Sequence, residues 1–329
     1  MKKAVIFIYL CFTIKNCIAQ FDSTHYYLNS LQYKKSINYL KREIKKNAYI
    51  KYKNGNTTAK DVDEINLACI YSLNNEYDNC LKQLNTFVKS KTNKDGFYIP
   101  NKWSNYDYYI SFYTDPDFYR VSVARPNEWK SFLVKHKHKC EITDTFFRKL
   151  NIPDSIYTAL IQIGINDQAH YREILFYEDK YGSQSSTALK LWKEKDSLNK
   201  ANLKTVMYYL DSGYNVLSDS VVGNFSNKCF LVIQHADLKT QEKILPLIKK
   251  LYEQKKIQGS NYALLFDRIS VDKNNGTQFY GTQINSKTNQ PFFIKDEVNV
   301  DKRRAEFGME SMADYCKRFN IIYKPKKTK

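Results

Sequence analysis

The side chains best placed to do chemistry lie in the last third of the chain, as Gln234-His235-Ala236-Asp237, Asp267-Arg268, Tyr280-Gly281-Thr282-Gln283 and Arg303-Arg304. Each group ends or interrupts an apolar run such as Cys229-Phe230-Leu231-Val232-Ile233. A polar group carried inward by such a run is costly unless it finds a partner, so these residues are expected to form a mutual network. An enzyme would use His235 as general acid or base, because imidazole titrates near neutrality, with Asp237 or Asp267 orienting it. Arg172, Arg268, Arg303 and Arg304, helped by Gln234, Tyr280 and Gln283, would hold an anionic or oxygen-rich ligand, since guanidinium groups grip oxyanions bidentately. Hydrolysis or transfer on an envelope glycan or phosphoester is the reaction class that fits. No GxSxG elbow, HExxH helix or P-loop accompanies it, and for that reason ligand or partner binding without turnover is preferred over catalysis. A network that serves folding alone is the third reading.

No metal or other cofactor is expected. His235 and Asp237 stand two apart, which on a continuous helix points them in different directions, and His136 and His138 are interleaved with lysines that would repel a cation. The cysteines beyond residue 19 are Cys69, Cys80, Cys140, Cys229 and Cys316, an odd set without a CxxC pair; that excludes a dense disulfide framework and a zinc finger. Cys69 and Cys80 fall in neighbouring predicted helices, where they either form a disulfide or fill core positions.

The elements that must position these residues read as mainly α. Leu28, Leu31, Ile37, Leu40 and Ile44 recur at helical spacing, and Asp61 to Val88 predicts a helical hairpin turning at Asn74-Asn75. Further helices follow through Asp167, Asp196 and Met207, then Cys229 to His235, and then a helix capped by Asp237. Tyr262 to Val271, the Asn274-Asn275-Gly276 turn and Thr277 to Ile284 together give a hairpin signal. The expected fold is a helical-repeat-like module followed by a mostly helical domain with a small β-hairpin.

The first residues set the compartment. Lys2 and Lys3 precede an apolar run from Ala4 to Ile14, and Cys17-Ile18-Ala19 offers small residues at cleavage offsets. That is the pattern of a secretory signal over 1–19, predicting a periplasmic or secreted protein cleaved near Ala19, with lipid anchoring at Cys17 as the rival. No later run approaches the length of a transmembrane helix. The chain carries 52 Lys and Arg against 34 Asp and Glu, a net charge of +18. Such a balance suits nucleic acid, anionic surfaces or acidic glycans, but the lysines are spread over helix-like segments and read as a solvated face, so no nucleic acid partner is expected. The dense basic run, 323–329, reads as a tail. Aromatic residues crowd 97–119, where interdomain packing is the plainer reading than stacking on sugars or bases.

Asn66-Leu67-Ala68-Cys69-Ile70-Tyr71-Ser72-Leu73 resembles the first helix of a tetratricopeptide unit, and Asp115-Pro116-Asp117-Phe118 resembles the way such units close in exported bacterial proteins. The resemblance covers about one repeat, where solenoids need about three. It implies a degenerate repeat module over 20–140, architectural first, with a protein or peptide in its groove as the other possibility. Asp167-Gln168 with Arg172, Asp196 with Asn199, the Gln-His-Ala-Asp, Asp-Arg and Tyr-Gly-Thr-Gln motifs, and Asp301 with Arg303-Arg304 resemble, in order and spacing, an uncharacterised bacterial domain family. That resemblance implies one domain over 141–322 and marks polar positions without an activity. Gly213-Tyr214-Asn215 departs from the Gly-Trp-Pro that relatives tend to carry there.

Overall fold

The computed structural model describes residues 27–46, 59–90, 113–139, 142, 144 and 148–324. The signal segment 1–19 with Cys17, the aromatic residues 97–112, Cys140 and the end of the tail, 325–329, lie outside the described residues. The fold is mainly α with a small β-hairpin, and each strand is only two residues long. No described helix is long and apolar enough to cross a membrane. The chain forms two compact units, one running to Val216 and taking in Ser220–Cys229, the other made of Leu217–Asp219 and the chain from Phe230 onward.

The described regular elements of the first unit are helices. The helix Ala59–Leu73 packs against both Tyr33–Lys46 and Tyr77–Ser90, burying Leu67, Ala68, Ile70 and Leu73 against Leu40, Cys80, Leu84 and Phe87. The chain reverses at Asn75, whose φ of 64° places it in the left-handed region that asparagine tolerates better than most residues. Here Asn74 N–H returns to the Ile70 carbonyl and Glu76 N–H to that of Tyr71. A short 3-10 helix, Pro116–Phe118, follows, capped by the Asp115 side chain, which accepts from Asp117 N–H at 2.9 Å. It packs on Ala59–Leu73 and on Asp154–Gln168. In the latter, Gly164 leaves room for Thr114, whose Cβ would lie 2.7 Å from a side-chain carbon at that position. His170, at φ 68°, then breaks the chain into a new helix, Tyr171–Tyr181, which carries Arg172 and Glu173 in its first turn. The long helix Ser186–Asp211 covers both and contributes buried Lys195 and Asn202.

The second unit pairs the helices Leu238–Glu253 and Gly259–Lys273. Strand β1, Thr277–Gln278, runs parallel to β4, Phe293–Ile294, while β2, Ile284–Asn285, pairs antiparallel with β3, Gln290–Pro291. Ile294, Val300, Met312, Tyr315, Cys316 and Ile321 form the core beneath them.

The hairpin is displaced from where the sequence signals it. Tyr262 to Val271 is helix, not strand, and the Asn274-Asn275-Gly276 segment ends that helix: Asn274 N–H bonds the Ser270 carbonyl and Gly276 N–H that of Val271. Asn275 and Gly276 have φ of 48° and 82°. Positive φ serves a helix terminus as well as a two-residue hairpin turn, so the same dipeptide fits both. The helix-forming Ala263, Leu264 and Leu265 decide in favour of helix.

Candidate functional site

Asp267, the Tyr280-Gly281-Thr282-Gln283 motif and Arg303-Arg304 of the second unit meet at one turn. Asp267, fully buried on the Gly259–Lys273 helix, accepts from the backbone N–H groups of Phe279 at 2.7 Å, Tyr280 at 3.0 Å and Thr282 at 2.9 Å, and from the Thr282 hydroxyl at 3.0 Å. Burial lifts its carboxyl above the usual range, and these same donors hold part of that rise back. Gln278 closes the turn from the other side: its Oε1 accepts from Gln283 N–H at 2.8 Å, and its Nε2 donates to the carbonyls of Gln283 and Phe292 at 2.9 and 3.0 Å. Gln283 Nε2 donates to the Thr282 hydroxyl at 3.0 Å.

The two arginines engage carbonyls of the same turn. Arg304, 1 % exposed, donates to the Tyr280 carbonyl and to that of Glu310, each at 2.7 Å, beneath the Tyr315 ring. Arg303 reaches the carbonyls of Phe279, Lys295 and Asp296, pairs with the Asp296 carboxylate at 3.0 Å, and lies over the Phe279 ring. Tyr315 donates its hydroxyl to the Thr282 carbonyl at 2.7 Å. Tyr280 itself is buried edge-on to Phe307, and burial pushes its hydroxyl up to about 12. Asp267, Tyr280, Gln283, Arg303 and Arg304 are thus brought together, bonded mainly to backbone.

Gly281 sits at the centre of that turn with φ 70°, and a Cβ there would lie 2.5 Å from Met312 Sδ and 3.1 Å from Ile294 Cδ1. Gly281→Ala is therefore expected to destabilise the protein by about 2–4 kcal/mol, combining a left-handed alanine with a clash against a packed core. Urea denaturation of the variant measures this, and a midpoint equal to that of the parent would contradict the geometry.

The Gln-His-Ala-Asp motif forms a corner between helices. The Gln234 carbonyl accepts from Gln241 Nε2 at 2.9 Å and from Arg268 at 3.3 Å. Asp237 is exposed and caps the next helix, accepting from Thr240 N–H at 2.9 Å and from its hydroxyl at 3.1 Å. Those bonds hold its carboxyl below the usual range. His235 is partly buried at this corner, and burial lowers Arg268.

Arg172 belongs to the other unit and anchors a different constellation. It donates to both oxygens of Asp117, at 2.9 and 3.1 Å, while its Nε is buried with no hydrogen-bond partner. Burial pulls Arg172 down, but Asp117 and Asp115 outweigh it and leave the guanidinium raised. Beside this pair Arg120 bonds Glu173 at 3.0 Å, and its guanidinium lies 5.7 Å from the ring centroid of Tyr33. The Tyr33 hydroxyl is buried without a partner. Cys69 Sγ and carboxylate oxygens of Asp115 and Asp117 all lie within 4.8 Å of one another. Burial, then Asp117, pushes the Asp115 carboxyl up to about 7, against the pull of Arg172 and Lys228. Burial also lifts Asp117, opposed by Arg172.

Lys228 and Lys195 complete the cluster. Lys195, 1 % exposed, donates to the carbonyls of Asn166 and Asp167 and to Asn199 Oδ1 at 2.9 Å. Lys228 is partly buried and makes no hydrogen bond or ion pair with any described residue. Burial lowers its ammonium, and Asp167 and Asp115 act against that. Sequence reasoning picked out Arg172 of this group as a ligand-binding residue and marked Asp167 only through the family resemblance. The available signals were the two acids of Asp115-Pro116-Asp117-Phe118 and a lysine immediately before the apolar run at Cys229.

Residues 151–327 match a family of unknown function, DUF6624. The chain belongs to DUF6624. No curated protein and no solved structure matches it. The DUF6624 stretch supplies Asp167, Arg172, Glu173, Lys195 and Lys228, whereas Tyr33, Cys69, Asp115, Asp117 and Arg120 precede it. The charged cluster is thus assembled from the family region and from the helices before it, within one compact unit.

Proposed function

We propose that this DUF6624 protein binds an oxygen-rich, anionic group in its helical unit, with Lys228 and Arg172 as the cations that receive it. The observation that carries the reading is Lys228, a partly buried ammonium with no ion pair or hydrogen bond to any described residue, in the same unit as the buried, unpartnered Nε of Arg172. A cation partly removed from water and left without a partner is an open position for an oxyanion, which it holds with charge-assisted hydrogen bonds. The unpartnered Nε of Arg172 adds a second donor. The helices before the family stretch serve as a wall of this site, which accounts for Tyr33 and Cys69 within it. The signal-like segment at residues 1–19 supports an encounter with the ligand outside the cytoplasm.

For the second unit we infer the structural alternative. Asp267, Gln278, Gln283, Arg303 and Arg304 direct their polar atoms mainly at backbone groups of one turn, which is how a fold satisfies a buried loop. A hydrolase built on His235 finds no such support, because the Asp237 oxygens are engaged in capping and those of Asp267 in holding the turn.

Thermal melts in sodium acetate and in sodium sulfate, at matched ionic strength and pH 6, test the binding reading. A ligand at a hundred times its dissociation constant contributes about 2.7 kcal/mol, or a rise of roughly 5 °C for a chain of this size. That rise is expected for the parent and absent in Lys228→Met. Equal rises in both proteins would remove Lys228 from the site.

A further inference from the structure

We propose that Cys69, Asp115 and Asp117 form a binding site for a divalent metal ion, with zinc as the ion their chemistry selects. The site goes beyond the anion reading and does not use Lys228. Its side chains come from two elements that pack on each other, Cys69 from the Ala59–Leu73 helix and the two acids from the Asp115-Pro116-Asp117 turn. Cys69 Sγ and one oxygen of each carboxylate lie within 4.8 Å of one another. Tetrahedral zinc, with bonds of about 2.3 Å to sulfur and about 2.0 Å to oxygen, sets its ligand atoms roughly 3.5 Å apart, so the widest pair has to close by at most about 1 Å.

The thiol points to a ligand independently of the acids. Cys69 is free and 3 % exposed, and its sulfur makes no hydrogen bond to any described residue. A buried cysteine that only fills space behaves as a small apolar group among apolar neighbours, whereas this one faces two carboxylates. Those carboxylates have oxygen lone pairs to offer. Asp115 Oδ1 accepts from Asp117 N–H at 2.9 Å, and its Oδ2 makes no hydrogen bond to any described residue. Asp117 accepts two bonds from Arg172, at 2.9 and 3.1 Å, out of the roughly four that an ionised carboxylate can take.

Arg172 supports such a site rather than blocking it. One thiolate and two carboxylates around a divalent ion sum to a single negative charge, which the guanidinium on Asp117 balances. The same bonds fix the Asp117 carboxylate, as hydrogen-bonded outer groups do for metal ligands generally. Glu173 takes no part, being paired with Arg120 at 3.0 Å. The sulfur selects zinc over calcium or magnesium, which take oxygen ligands in greater number. Three protein ligands leave the fourth tetrahedral position to water, and Asp115, the partly exposed member of the set, is the side from which ion and water enter.

Titration of the reduced, chelator-treated whole chain with cobalt(II) chloride, followed by competition with zinc chloride, reads the site directly. Cobalt should give a thiolate-to-metal charge-transfer band in the near ultraviolet that saturates at one ion per chain, and an equal amount of zinc should abolish it. Cys69→Ser should lose the band. Asp115→Asn keeps the thiol and a side chain that caps as aspartate does, and it should bind cobalt at least roughly tenfold more weakly. Absence of the band in the parent at saturating cobalt would overturn the proposal, and needs no variant. A band that survives Cys69→Ser, or an Asp115→Asn affinity equal to that of the parent, would put the metal elsewhere and overturn it as well. None of these results decides the sulfate melts, so the metal site and the anion reading stand or fall separately.

Discussion

Asp267→Ala is expected to lower the stability of the protein by on the order of 3–5 kcal/mol, the largest effect of any single truncation in the second unit. The carboxylate accepts from three backbone amides and one hydroxyl in a fully buried position. Alanine leaves those donors without an acceptor and opens a cavity beside them, and water cannot reach the donors without loosening the Phe279–Thr282 turn. Arg303 and Arg304 would then lose the fixed carbonyls they bind at Phe279 and Tyr280. Asp267→Asn keeps one accepting oxygen but points an amide N–H₂ at donors, so it should recover little of the loss. Guanidinium denaturation checks both variants; an alanine variant within 1 kcal/mol of the parent would mean that the turn is held by something other than Asp267.

Arg172→Met is the second substitution with a large expected cost, about 3–5 kcal/mol near pH 8, because it strands Asp117 next to Asp115 without the guanidinium that compensates it. The cost depends on pH in a defined direction. A carboxyl deprived of its cation has a folded-state pKa raised above its unfolded value, so the associated stability is present at low pH and is lost as pH rises through the folded value. The variant should therefore approach the parent near pH 4 and fall away from it toward pH 8. Adding Asp117→Asn should restore part of the loss at pH 8 by removing the stranded charge. Melts of the single and double variants at both pH values measure this; a pH-independent deficit would point to lost packing rather than an uncompensated carboxylate.

How far the sequence revealed the fold can be followed residue by residue. Leu67, Ala68, Cys80 and Leu84 carried a helical period, and the structure buries all four on facing helices. Tyr262 to Val271 misled because a short apolar run looks alike in a strand and in a buried helix, and because Asn275 and Gly276 supply a backbone conformation that both endings use. The Asp267, Tyr280, Gln283, Arg303 and Arg304 group was legible as a network, since polar residues in core-like runs must bond to something. Their partners were not, because backbone carbonyls and amides leave no trace in side-chain identity. The cluster of the first unit was the least visible. Asp117 and Arg172 stand 55 residues apart and Arg120 and Glu173 stand 53 apart, and only the folded chain brings such distant charges to one place.

The free cysteines of the described residues, Cys69, Cys80, Cys229 and Cys316, are all buried. Cys316 lies in the second unit and the others in the first. A thiol in that state reacts with an alkylating reagent only when its surroundings open, so its labelling rate reports the free energy of the opening that exposes it. The protein therefore carries reporters in both halves. If the units open separately, Cys316 will be labelled with one rate and the first-unit thiols with another; if the whole chain melts as one, all four will share a single rate. Mass spectrometry of a timed alkylation in the native protein would read that cooperativity directly, without any engineered probe.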